Sequence, residues 1–545
     1  MSPDLVRVLH TVRHLDREQV ARRALRRLRV RPGLGTAPDR VEYLADVWPR
    51  VARARRPTSA AVLDGVFEFW GQRRQLDLQH AWSAGDLPLS WNYPVQYFDA
   101  APALAAADPT RICEWIDRWI AAHPAPEGAA WEAYPIALRV VNWLDAVAIL
   151  GPDALADWRA RVFQSLWQQC DWLAKNLERH LLGTHLLKDA KALAIAGRVF
   201  ADPAAHAWRT TGDAILVREL ARQVWPDGGL GEPSLPYHNM VLEDVLDLLA
   251  LRGWEQAPWA DAARDTAMRM LRFARAVQTP QGTAPLLGDC GEEAVPPAPA
   301  LGEYAVRLGF AVPEPGRGVQ HFEASGIAVY RDARHYLLAD VGGAGMPYLP
   351  GHGHCDSLSF EWWVQDQPII VDTGTITYER GPARLATRST AAHNTLQIDA
   401  QELHEIWAAF RVARRSQVSA CLDFQGSIVA ELVPWFDGRL RITRRFECSA
   451  AGVRIHDVVT GPGQHTLTSR LHLHPDCVIE RHGDAVAVRH GPATAVIHMP
   501  VGFRILGPEV SGSVHCERPG VARPNAVLEL ESTGMLPWES EIRLE

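Results

Sequence analysis

The chain lacks a Cys-x-x-Cys pair, a basic surplus, an apolar run of membrane length and a short repeat, and each absence removes a class of protein. Its eight cysteines, at 113, 170, 290, 355, 421, 448, 477 and 516, are scattered. That spacing excludes a cysteine zinc cluster and a compact disulfide framework, and reduced thiols are expected. A net charge of −8 supplies no field to steer a polyanion over the whole surface, so no nucleic-acid partner is expected, while a local basic cleft stays open. The opening stretch MSPDLVRVLHTVRHLDREQVARRALRRL is broken by charge every few residues. It lacks the apolar core of about 7 to 15 residues that marks a secretory signal. No run of about 18 uncharged apolar residues occurs either, so no transmembrane segment is expected. The expected location is the cytoplasm, with the periplasm as the lesser alternative. No short repeat is strong enough to assign a solenoid or a propeller, and the helical hairpins are too divergent to set a period.

What is present is globular. A 545-residue chain with 47% hydrophobic and 22% charged residues exceeds one ordinary core, which makes two domains the expectation and three an open alternative. From about residue 40 to 280, segments such as ALRVVNWLDAVAIL and VLEDVLDLLALRG repeat apolar residues at helical spacing. Breakers such as GPDALAD, VWPDGGLGEPSLP and TPQGTAP divide them, so an all-helical half built of stacked hairpins with a concave groove is predicted. The Pro- and Gly-rich stretch Glu292 to Gly318 marks a change of architecture. Beyond it, IAVYRDARHYLLAD, LSFEWWVQDQPIIVDTG, NTLQID, RLRITRRFECSAAGVRIHDVV and SRLHLHP read as strands of a β-sandwich. The densest basic run, Arg22 to Arg31, lies on a helical pattern, either as a solvated face or as a contact for anionic lipid or a partner.

Within GHGHCDSLSF, an extended backbone would place His352 and His354 on one face, because residues two apart share a side of a strand. Asp372 ends the apolar run PIIVD, and His393 sits in AAHNTLQID. Two imidazoles and a carboxylate suit zinc, against the plainer reading of histidines satisfied by backbone. In the helical half, His185 lies in a Leu-rich helical segment, where a hydrogen-bonded core role competes with chemistry. Tyr237 and His238 follow a Pro-containing loop and open a helix, which would point their polar ends into a groove.

Together, GTHLLKDAKALAIAG, DGGLGEPSLPYHNMVLEDVLDL, GHGHCDSLSFEW, IIVDTGTITY and RSTAAHNTLQID resemble the heparinase II/III-like polysaccharide lyases, over about Trp131 to Pro475. The resemblance implies an N-terminal, incomplete (α/α) toroid followed by a C-terminal antiparallel β-sandwich, with the active site between them. The expected divisions are a helical extension over 1–40, the toroid over 41–315 and the sandwich over 316–545. By this resemblance Tyr237 and His352 handle protons, His185 meets the substrate carboxylate, and His354, Asp372 and His393 hold a zinc that is structural. Thr184 precedes His185 where many relatives carry Asn. Arg139, His238 and Arg388 join Thr184 as candidate substrate contacts, Arg139 because WEAYPIALRVVNW matches a pattern of relatives, and Arg388 with a structural ion pair as its alternative.

The implied reaction is β-elimination on a uronic-acid-containing polysaccharide or oligosaccharide. Removing the C5 proton builds negative charge on the carboxylate, and donors aimed at that charge lower the barrier. Tyr237 or His352 takes the proton and Tyr237 protonates the leaving 4-oxygen. Two alternatives stand beside it: a carbohydrate-binding or exopolysaccharide-assembly protein of lyase shape without turnover, and a cupin oxygenase. Against the oxygenase, Glu361 is too far from His354 and the helical half is foreign to cupins.

Overall fold

The computed structural model describes residues 3–28, 33–44, 47, 62, 65–76, 88–151, 156–290 and 295–545. The expectations placed on residues 29–31 of the basic run, 152–155 of the GPDALAD loop and 292–294 of the Pro-rich connection lie outside them.

The helices of the first half form two concentric rows. Ala101–Ala107, Ala133–Leu150, Gly183–Val199 and Leu235–Ala250 pack successively as the inner row, and Pro109–Ala122, Ala156–Lys175, Pro203–Gln223 and Ala260–Val277 form the outer one. Sequence pattern sorts the two rows. Ala260–Val277 buries Ala263, Ala267, Met270, Leu271 and Ala274 at three- and four-residue spacing and exposes Asp261, Arg264, Asp265 and Arg272, the signature of a helix with one covered face. Ala133–Leu150 is apolar nearly all round and buried from Ala133 to Val147 except at Tyr134. Its length and mean hydropathy match those of a membrane span although Arg139 and Asp145 interrupt the apolar run, and 78% of it is buried inside the protein. Inside the inner row, Lys188 and Lys191 both donate to Asp244 at 2.7 Å.

The first half is not wholly helical, because Val66–Phe69 and Gln72–Gln75 pair as a hairpin. Trp70 and Gly71, both at positive φ, make the two-residue turn whose twist matches that of paired strands.

The last helix of this half, Ala298–Arg307, is followed by the first strand of the sandwich at Gly318, and the expected boundary at 315/316 falls in that interval. The sandwich strands pair antiparallel in three main sheets of five, eight and four strands. Arg441–Ser449 alternates buried and open positions, as expected of a sheet covered on one face. The five-stranded sheet, which holds Ile327–Arg331 and His335–Asp340, differs. Ala328, Tyr330, Leu337 and Ala339 face the sandwich core, whereas Ile327, Val329, Tyr336 and Leu338 pack on Phe273, Ala276 and Val277 of the toroid. Burial on both faces removes the alternation from this stretch of sequence, and the two domains share a core through it.

The N-terminal helices Pro3–Val12 and Arg17–Leu28 strap these halves together. Trp407 Nε1 donates to Thr11 Oγ1 at 3.1 Å on the sandwich side, while Gln19 Nε2 donates to Leu181 O at 2.9 Å on the toroid side.

Candidate functional site

A cleft of about 1830 Å³ lies where the toroid, the sandwich and the N-terminal strap meet. Tyr237, His185, Thr184 and His352 line it together with Glu232 and Tyr378.

Tyr237 stands in the first turn of Leu235–Ala250, whose N-cap Ser234 accepts from Tyr237 N. The Ser234 hydroxyl in turn donates to Asp289 O at 2.6 Å, which ties the helix start to the strand-side loop. The Tyr237 and Tyr378 hydroxyls are 3.1 Å apart, and the Tyr237 ring meets the His352 ring edge-on at 4.7 Å. Burial, with Tyr378, Asp289 and Glu232 nearby, pushes the Tyr237 phenol well above its ordinary pKa. The hydroxyl is therefore a neutral donor.

His185 follows Leu182 and Gly183, both at positive φ. For Leu182 this is a strained conformation, and it turns the start of the helix toward the cleft. His185 is half-buried, beside the Tyr134 ring, and its Nδ1 lies 2.9 Å from Glu178 Oε2. Burial works to lower its pKa, but the Glu178 carboxylate outweighs burial and holds it above the ordinary value. Thr184 is buried and its backbone N–H donates to Glu232 Oε2 at 3.1 Å.

His352 and His354 do not share a strand face: Pro350–His352 is a short 3-10 turn, and the strand begins only at Phe360. They are linked by one carboxylate. Asp289 Oδ2 is 2.8 Å from His352 Nδ1, and Asp289 Oδ1 is 2.9 Å from His354 Nε2. Arg384 grips both oxygens from behind, with Nη2 at 2.6 Å from Oδ2. Burial opposes the charge on Asp289, but Arg384 and the two histidines hold its pKa well below the usual range. Gly288, at φ +67, permits this approach, since a Cβ there would lie 2.4 Å from Pro233 O. His352 Nε2 faces the cleft, 3.4 Å from Glu232 Oε1.

His354, Asp372 and His393 are fully buried behind His352. His393 Nδ1 lies 2.7 Å from Asp372 Oδ2, and the two histidine rings are 5.3 Å apart. Burial lowers the His354 pKa, while Asp372 keeps that of His393 raised against the effect of burial. His354 Nδ1 and His393 Nε2 are buried without a hydrogen-bond partner. Unpartnered imidazole nitrogens beside a carboxylate match the donor chemistry zinc takes. The donors are nevertheless more open than a closed ligand shell. Among the described residues, the group of three with all ligand atoms within 4.8 Å is elsewhere, at His474, Asp476 and His490, where Asp476 is also ion-paired to Arg523.

Three expected substrate contacts lie away from the cleft surface and are corrected. Arg139 is fully buried, donating to Gln169 Oε1, Gln96 O and Ala130 O and stacked 3.9 Å over Trp119. His238 turns into the helical core, with Nε2 3.0 Å from Met270 O and its pKa pushed down to about 4 by burial. Arg388 is also fully buried, and burial lowers its pKa to about 10. Its guanidinium donates to Gly353 O, Ala408 O and Ala409 O, so it fixes the loop between the two histidines.

Residue spacing gave no role to Asp289, Glu178, Glu232, Arg384 or Tyr378. Asp289 and Arg384 are isolated charges whose pairing spans 95 positions. Tyr378 and Glu232 lay inside quoted motifs, and their chemistry was the available signal.

Two family models match the chain, Heparinase II/III N-terminus over residues 105–296 and Heparinase II/III-like, C-terminal over 314–540. The chain belongs to the heparinase II/III-like family. A heparin-sulfate lyase of Bacteroides stercoris is 25% identical over 244 residues, a match spanning 41% of this chain and 36% of that protein. Among solved structures, a heparinase III superposes with a TM-score of 0.72 at 15% identity, covering 96% of this chain and 88% of the other. A heparan sulfate lyase mutant from Pedobacter heparinus gives 0.62 at 15% identity, covering 92% and 85%. These structures share the toroid and sandwich.

Proposed function

We propose that the protein is a polysaccharide lyase that cleaves a uronic-acid-containing polysaccharide or oligosaccharide by β-elimination. The supporting observation is the convergence of Tyr237 and His185 from the helices with His352 from the sandwich in one cleft. His352 Nδ1 is engaged by Asp289, which presents Nε2 to the substrate as the base for the C5 proton. As that C–H bond breaks, its electrons form the C4=C5 double bond, and the C4–O bond breaks. Tyr237, a neutral phenol held by Tyr378, gives its proton to the departing oxygen. A phenol with a raised pKa suits the acid role better than the base role. His185, whose pKa Glu178 holds above the ordinary value against the effect of burial, faces the substrate carboxylate as negative charge accumulates there.

His354, Asp372 and His393 would hold a zinc ion, whose part is to brace the sandwich loop behind His352. The proton transfers belong to Tyr237 and His352. A binding protein without turnover is the second reading, favoured by Thr184, which brings no side-chain amide donor and whose backbone N–H already serves Glu232. Incubation with a panel of uronate polymers separates the two. The lyase reading predicts growth of ultraviolet absorbance from the unsaturated product, whereas retention of the polymer without absorbance supports binding alone.

A further inference from the structure

The cleft continues past the Tyr237–His352 pair along the strand Arg411–Arg415 to the N-terminal strap, and its wall there carries cations without acids. Arg23, Arg411 and Arg415 all line it. Arg415 Nε is buried with no hydrogen-bond partner. Arg23 uses Nε on His180 O at 3.1 Å, and no carboxylate within ion-pair distance serves Arg23, Arg411 or Arg415 among the described residues. The acid on this strand pair, Glu405, is already held by Arg414 at 2.6 Å and by Arg7 at 3.2 Å. The cations also oppose one another. Burial and Arg411 lower the Arg23 pKa, burial and Arg13 take Arg415 down to about 10, and burial with Arg415 and Arg13 takes His14 to about 4. A cluster of this kind is relieved by a bound anion, and guanidinium is the side chain best suited to carboxylate or sulfate oxygens.

We infer that Arg23, Arg411 and Arg415 form a distal anion subsite that takes a second charged group of the sugar chain, a uronate carboxylate or a sulfate, beyond the bond being cleaved. The inference rests on the acidic-polysaccharide reading above and assigns the strap, whose residues precede both family matches, a place in substrate binding. Phe410 packs 5.9 Å from His352. Five residues of strand from there to Arg415 span roughly 16 Å, so the second charge would sit a few sugars from the first.

The test is titration calorimetry in a Tyr237→Phe background, with unsulfated and sulfated uronate disaccharides and hexasaccharides as probes and Arg411→Gln and Arg415→Gln as variants. Expected is a gain in affinity from disaccharide to hexasaccharide that each variant reduces by roughly tenfold or more. Arg17→Gln, on the exposed side of the strap, leaves that gain in place. Loss with both hexasaccharides assigns a carboxylate, and loss with the sulfated one alone assigns a sulfate. Hexasaccharide affinity unchanged in both arginine variants overturns the subsite. Thermal unfolding of each variant identifies misfolding, and Arg411, being exposed, supplies the decisive variant if Arg415→Gln does not fold. Binding is read without turnover. An arginine-dependent gain in a protein that shows no elimination therefore keeps the subsite and rejects the lyase reading, and elimination with unaltered affinities does the reverse.

Discussion

Asp289 Oδ2 and His352 Nδ1 are 2.8 Å apart, and through this contact a residue of the helical half orients the cleft-facing imidazole of the sandwich. Arg384 keeps the Asp289 carboxylate charged from the other side. Asp289→Asn is expected to lower kcat by about 10² or more, with KM changed little, because the amide no longer fixes His352 with Nε2 free to accept a proton. It also strands the buried Arg384 cation, a cost of about 3 to 5 kcal/mol. Steady-state kinetics and thermal unfolding read the two effects separately.

Tyr237→Phe removes the proposed acid and lowers kcat by about 10² to 10⁴. Tyr378→Phe keeps that acid and removes its partner at 3.1 Å, so a smaller loss is expected. Equal losses in the two variants would show that the hydroxyls act as a unit.

Arg139→Met leaves three acceptors without their donor, at about 1 to 3 kcal/mol each. A lower Tm with unchanged KM is expected. A raised KM at unchanged Tm would return Arg139 to the substrate.

Acid and base limbs of stability have separate sources. Burial takes His238 and His404 each down to about 4 from the ordinary 6.5, so the unfolded chain binds more protons at these sites. They cost no stability above pH 6.5, and stability falls as pH drops from about 6.5 toward 4. His185 has the opposite sign. Its pKa is raised above 6.5 by Glu178, so its contribution is complete below pH 6.5 and is lost as pH climbs through the higher folded-state value. Urea midpoints measured across this range should fall on the acid side. His185→Gln should flatten only the alkaline side.

Dialysis followed by elemental analysis tests the metal site. About one zinc per chain is expected, lost in His393→Ala together with several degrees of Tm. A metal-free wild type of unchanged Tm would remove zinc from the proposal.

The helix-then-strand order was legible because outer helices such as Ala260–Val277 keep a three- and four-residue apolar spacing and strands such as Arg441–Ser449 a spacing of two. So was the family, because five motifs occur in order. The hairpin at Val66–Gln75 was not legible. Its second strand, QRRQ, is entirely exposed and carries no alternation, and its turn depends on positive φ at Trp70. The expected strand face shared by His352 and His354 is not formed, since Asp289, 63 and 65 positions away, links them instead. Arg139, His238 and Arg388 show the limit of motif reading. Each sits in a motif of the cleft, and each has its polar atoms turned to the interior, which spacing along the chain does not encode.

The most direct measurement is the ultraviolet product assay run on wild type, Tyr237→Phe and His352→Ala against uronate polymers. Elimination by the wild type, lowered at least 10²-fold in each variant while both still bind the polymer, is the predicted result. Equal rates in all three, or absorbance from none, would contradict the placement of elimination chemistry between these two side chains.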